Sequence, residues 1–295
     1  MMTFKKFILI WPSVNAGRSW VLQSRAKGLF MRSFIPFFNL SKRQKFVLIV
    51  FFMSIGVLFS TYLSGMNLIL TSLFLSFLGA ILLYWTLRSD ISGTFYYPIL
   101  ILPFLLTLSF VLFYQLIPAR LLTRMVIVSL YAFGLYSLFL TQNIFAVSAI
   151  RTINLLRSAR IVSFVLTIMV LFLLTNITFS LRLPFFATPI VISITAFLLN
   201  FQSLWVYSLS KAFVRESLIL SLLIAIALAQ LAFILNLWPV TAAIYSIFIT
   251  GIFYAYSGLA HAWVEKRLFK GILWEYVWVG FLAILILALF SNWGL

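Results

Sequence analysis

Nine stretches of this chain run for about a membrane's width with almost no charged residue, and no other feature narrows its folds so severely. They are 46–64, 66–87, 97–117, 125–150, 161–181, 185–210, 217–237, 238–264 and 272–293. Crossing the hydrocarbon takes about 20 apolar residues in a helix, and each stretch is long enough. Helices are required because they satisfy their own backbone groups in lipid. The alternation of a lipid-facing barrel strand is missing from runs such as LFLSFLGAILLYW. Arg, Lys, Pro or Gly bounds almost every run. The tightest reversals are SGMN at 64–67 and NLWP at 236–239, where Pro239 suits a helix's first turn.

The fold class expected is therefore all-α, a polytopic integral membrane bundle of about nine transmembrane helices arranged as successive hairpins. Pro118, Pro184 and Pro239 mark alternate turns. They suggest that span three pairs with four, five with six and seven with eight, which leaves span nine as the odd one. Pro98 and Pro103 are expected to bend span three.

Composition agrees with lipid as the solvent. The chain is 64% hydrophobic and 8% charged, whereas about a quarter of the residues in soluble domains are charged. It has no cysteine, which excludes disulfides, thiolate catalysis and cysteine-held metals. P-loop, GxGxxG, HExxH and GxSxG patterns are all missing. Asp90 is the one aspartate, so no aspartate cluster is present to hold magnesium against a diphosphate. No cofactor and no metal site are expected.

Basic residues set the orientation. With alternating sides, 18 of the 21 Lys and Arg fall on one face and only Arg120, Arg124 and Arg182 on the other. The positive-inside rule then places the amino terminus in the cytoplasm and the carboxyl terminus outside, in a cytoplasmic (inner) membrane. Trp85, Trp205, Trp263 and Trp274 lie toward the inner ends of their spans, and Trp238 and Trp293 toward the outer ends, as an aromatic belt would have them.

Residues 1–45 read as a separate basic-aromatic tail, with 46–295 as the single transmembrane domain. The tail carries Lys5, Lys6, Arg18, Arg25, Lys27, Arg32, Lys42, Arg43 and Lys45 without an acid, interleaved with aromatics such as Trp11, Trp20 and Phe30. It is not read as a cleavable signal, because FILIW is shorter than an h-region and no small-residue cleavage site follows. Membrane lipids are the expected partners, with anionic lipid at the tail. A membrane-protein partner is a further expectation, and nucleic acid is not.

Candidate sites are few. Gly251, Ala255, Gly258 and Ala262 recur at steps of four and three, a small-residue stripe along which another helix can approach closely. His261 and Glu265 share a helical face beside that stripe. Glu275 enters from the same inner turn. The three are expected to meet Lys266, Arg267 or Lys270 as a polar cluster that fixes the last hairpin. Arg120, Arg124 and Arg182 are candidate contacts for an anionic head group. Gln142, Asn143, Asn176, Asn200, Gln202 and Gln230 lie inside spans, where amides join helices or line a polar path. No catalytic residue is assigned. The first functional expectation is a non-enzymatic membrane scaffold or assembly component. A permease or flippase for a lipid-like or anionic solute comes second, and a membrane-embedded enzyme using His261, Glu265 and Glu275 third.

Overall fold

The computed structural model describes residues 41–88, 97–118, 120–148, 155–208 and 214–291. The chain divides into two compact units, Met1–Lys45 and Phe46–Leu295. Of the first, only residues 41–45 are described. The tail expected on anionic lipid lies outside the described residues, as do Asp90, Arg151, Lys211 and Trp293.

Among the described residues there is no strand, and nine helical segments are long and apolar enough to cross a membrane. They are α1 Lys42–Ser60, α2 Gly65–Leu87, α3 Ile101–Phe113, α4 Leu121–Ser148, α5 Leu156–Ser180, α6 Ala187–Ser208, α7 Val214–Leu235, α8 Ala242–Val264 and α9 Lys270–Leu289. Span three extends α3 by a 3-10 turn at each end, Tyr97–Leu100 and Tyr114–Leu116. The bundle is the all-α membrane architecture that the apolar runs demand.

The helix ends show where hydropathy alone misplaces a boundary. The Ser41 N–H donates to Gln44 Oε1 at 2.9 Å and the Gln44 N–H reaches Ser41 Oγ at 3.4 Å. This capping box starts α1 four residues before Phe46. Thr241 caps α8, its Oγ1 accepting from the Ile244 N–H at 3.4 Å, so Trp238, Pro239 and Val240 stay outside the helix. Pro98 sits in the 3-10 turn and Pro103 in the first turn of α3, where a missing N–H forfeits no helical bond. Both prolines thus fall at the tightened entry of span three and not in the middle of its helix.

Burial sorts the helices into two rings. Spans three, five, six and eight bury 56% of their most apolar stretch against protein, whereas α9 buries 11%. The closest packing joins α2 to α3, α6 to α7 and α8 to α9. These pairs are connected through the basic turns, not the proline turns, so α9 is a full hairpin partner of α8. Small residues permit the approach: a Cβ at Gly251 would lie 2.9 Å from Ala283 Cβ, and one at Gly258 would overlap the edge of the Tyr276 ring. Buried hydroxyls are mostly satisfied within their own helix. Ser76 donates to Ser72 O, Thr175 to Leu171 O and Thr178 to Leu174 O, each at 2.7 Å, which leaves them harmless in hydrocarbon.

Candidate functional site

Three pairs of residues spaced by four converge at one end of the inner ring. Arg160 and Phe164 come from α5, Ser203 and Tyr207 from α6, and His261 and Glu265 from the end of α8. Residues four apart share a helical face. Because α5 runs opposite to α6 and α8, the six side chains form two layers. Nearer the helix ends lie Arg160, Tyr207 and Glu265. One turn deeper lie Phe164, Ser203 and His261.

The outer layer is electrostatic. Arg160 Nη1 donates to Glu265 Oε1 at 3.1 Å and Nη2 to the Tyr207 carbonyl at 2.8 Å. Its guanidinium carbon also lies 4.8 Å from the centre of the Tyr207 ring. The side chains of Arg160 and Glu265 are 19% and 29% exposed, so the pair is shielded more than a surface ion pair yet is not fully desolvated. Arg267 reaches the other carboxylate oxygen at 3.8 Å. The deeper layer is aromatic. The His261 ring stacks on Tyr207 at 4.0 Å and meets Phe164 edge-on at 4.9 Å. His261 Nε2 is 2.9 Å from Ser203 Oγ.

A third layer continues the column inward. Ser257 Oγ donates to Asn200 Oδ1 at 2.9 Å, and Asn200 Nδ2 donates to Ser221 Oγ at 3.4 Å, which ties α8, α6 and α7 together. Hydrogen bonds between membrane helices are each worth about 0.6 to 2 kcal/mol. Several of them on the same three helices fix relative rotation as well as distance.

The end of α8 is shaped to hold Glu265 in place. Arg267 N–H bonds Ala262 O at 2.9 Å and Lys266 N–H bonds Trp263 O at 3.0 Å, the paired bonds of a Schellman motif. Lys266 occupies the left-handed position, φ 55°, where glycine is the usual resident.

His261 and Glu265 are therefore brought together, but through Arg160 and Tyr207, which the sequence had not singled out. Glu275 is exposed on α9 and takes part in none of these bonds. The three-residue His-Glu-Glu constellation does not assemble, and among the described residues no group of His, Cys, Asp or Glu is arranged to hold a metal ion. The stripe Gly251, Ala255, Gly258 and Ala262 lies on the same helix, with Gly251 and Gly258 facing α9.

The intramembrane amides divide. Asn200 is bonded as above, Gln230 is exposed, and Asn176 is half-buried. Gln142 and Gln202 are fully buried, and neither end of either amide meets a protein partner among the described residues. The three arginines of the opposite face do not form one site. Arg124 Nε donates to the Tyr114 hydroxyl at 2.9 Å and its guanidinium covers the Tyr62 ring at 4.1 Å. Arg120 is exposed on the same turn. Arg182 lines a separate cleft between the α5–α6 and α7–α8 turns.

No curated protein and no solved structure matches the chain. The region that a family model does recognise begins at the start of α1, ends just past α9, and leaves the basic tail outside. Residues 45–290 match the family described as "Protein of unknown function (DUF5656)", and the chain belongs to that family.

Proposed function

We propose that the protein is a scaffold or assembly component of a cytoplasmic membrane, with its amino terminus in the cytoplasm, its last helix ending outside, and its basic tail on anionic lipid. The observation that carries this reading is α9. This helix is anchored chiefly through α8 and turns Trp274, Trp278, Phe281, Leu285 and Leu289 outward, each 40% exposed or more. That is a continuous ridge at helical spacing, suited to a partner helix as well as to lipid. The polar cluster supports the same reading, since Arg160, Glu265, His261 and Tyr207 are all engaged in joining α5, α6 and α8. A photoreactive residue at Phe281, activated in intact membranes, tests it. The scaffold reading expects a discrete protein adduct on that face; labelling of lipid alone contradicts it.

A permease or flippase is the second reading, and Gln142 and Gln202 favour it. A buried amide without a partner is costly in hydrocarbon, and a polar solute passing through the inner ring would supply the missing bonds. Reconstituted vesicles distinguish the two. Transport lost in Gln202→Leu at unchanged protein abundance supports the second reading, and its retention removes that support.

A further inference from the structure

We propose that the cleft between the α5–α6 and α7–α8 turns binds an anionic phosphate group, with Arg182 as its cation. The cleft measures about 660 Å³, and its polar lining comprises Ser180, Arg182, Thr188, Asn236 and Thr241. No carboxylate contributes to it. Two helices begin at its wall, α6 just before Thr188 and α8 just after Thr241. Ala187 N–H already bonds Pro184 O at 2.7 Å, Ile244 N–H is capped by Thr241 Oγ1, and residue 189 is a proline. The first-turn donors left without an intrahelical acceptor, at the positive ends of the helix dipoles, are therefore Thr188 N–H on α6 and the N–H groups of Ala242 and Ala243 on α8. An anion is the complementary ligand.

Two further observations point to a ligand. Thr188 is 4% exposed yet lines the cleft, and its hydroxyl makes no hydrogen bond to any described residue, unlike most of the buried hydroxyls in this bundle. The Arg182 guanidinium likewise meets no carboxylate and no aromatic ring among the described residues, whereas Arg124 on the neighbouring turn is occupied by Tyr114 and Tyr62. Arg182 also adopts φ 47°, a conformation unfavourable for a residue with a side chain, at a position where glycine ends a helix without strain. Asn236 Nδ2 bonds the Phe185 carbonyl at 3.0 Å and holds the two turns together beneath the site.

The volume and the apolar part of the wall, Phe179, Leu183 and Val240, accommodate more than a bare ion. A phospholipid head group entering from the adjacent leaflet and a soluble phosphate share the recognising chemistry. This inference goes beyond the scaffold reading and does not depend on it.

The test uses the full chain purified in a neutral detergent. Lipid retention by native mass spectrometry and thermal stabilisation are measured with added phosphatidylglycerol and, separately, with inorganic phosphate. The variants are Arg182→Gly, Arg182→Gln and, on the other turn, Arg120→Gln. Arg182→Gly relieves the backbone strain, so its unfolding midpoint without ligand should equal or exceed that of the natural chain, which separates loss of binding from loss of fold. The expected result is binding about tenfold weaker in both Arg182 variants, the scale of one charge-assisted contact, with Arg120→Gln unchanged. Protection by phosphatidylglycerol alone identifies a head-group site, and protection by inorganic phosphate as well identifies a free-phosphate site. Arg182→Gly binding phosphatidylglycerol as the natural chain does, or all three variants weakening it equally, overturns the proposal.

Discussion

Adding one methyl group to Gly258 probes how closely the last two helices approach. A Cβ there would overlap the Tyr276 ring, so either the ring must leave its place or α9 must retreat. Overpacking of this kind costs about 1–3 kcal/mol. Alanine's better helix propensity returns up to about 1 kcal/mol, leaving a net loss of up to about 2 kcal/mol for Gly258→Ala. Gly271 supplies the control, because a Cβ there meets nothing within 4 Å. Gly271→Ala should be neutral or stabilising by a few tenths of a kcal/mol. Adding Tyr276→Leu to Gly258→Ala removes the overlapping ring and should recover part of the loss, giving a non-additive cycle between touching residues. The assay is the unfolding midpoint of the purified chain against increasing SDS in mixed micelles. If Gly258→Ala unfolds at or above the natural midpoint, as Gly271→Ala does, the close approach of α8 and α9 is refuted.

Other perturbations follow from the same contacts. Lys266→Gly should stabilise by about 1 kcal/mol, since a left-handed position suits glycine, and the same SDS titration reads it. Ser257→Ala should cost about 1 kcal/mol by depriving Asn200 of its donor, whereas Glu275→Gln, exposed on α9, should stay within about 0.5 kcal/mol. Single cysteines at Ser41 and Ser158 should be shielded from an impermeant thiol reagent in intact cells while one at Ser291 is labelled. Labelling of Ser41 from outside overturns the orientation drawn from the basic residues.

The length of the apolar runs was a sound guide to the helices because the spans are apolar on nearly every side. It was a poorer guide to their ends. Charge was treated as a stop signal, yet α5 runs through Arg157 and Arg160 and α4 through Arg124. A charged side chain can lie inside a helix when a partner meets it, and those partners are remote in sequence: Glu265 is 105 residues from Arg160. Spacing placed His261 and Glu265 on one face. It could not show that Arg160 would reach Glu265 ahead of the nearer Lys266 and Lys270, because that choice depends on α5 packing against α8. A weak signal was present in the two other pairs spaced by four, Arg160 with Phe164 and Ser203 with Tyr207. The helices joined through the proline turns do pack against one another, but they are not the closest pairs, since proline marks where the chain turns and carries no information on how closely the neighbours approach.

The contacts among Arg160, Tyr207, His261 and Glu265, with Ser203 beside them, join α5, α6 and α8. Glu265→Gln tests this most directly, because it removes the charge while nearly preserving shape and leaves Arg160 in a shielded position without its ion-pair partner. The account predicts a loss of about 1–3 kcal/mol in the SDS unfolding assay, with complementation in cells falling in proportion to protein abundance. Arg160→Gln combined with Glu265→Gln should be less damaging than the sum of the two single changes. A Glu265→Gln protein of natural abundance and unfolding midpoint that fails to complement would contradict the account and identify the cluster as a reactive site.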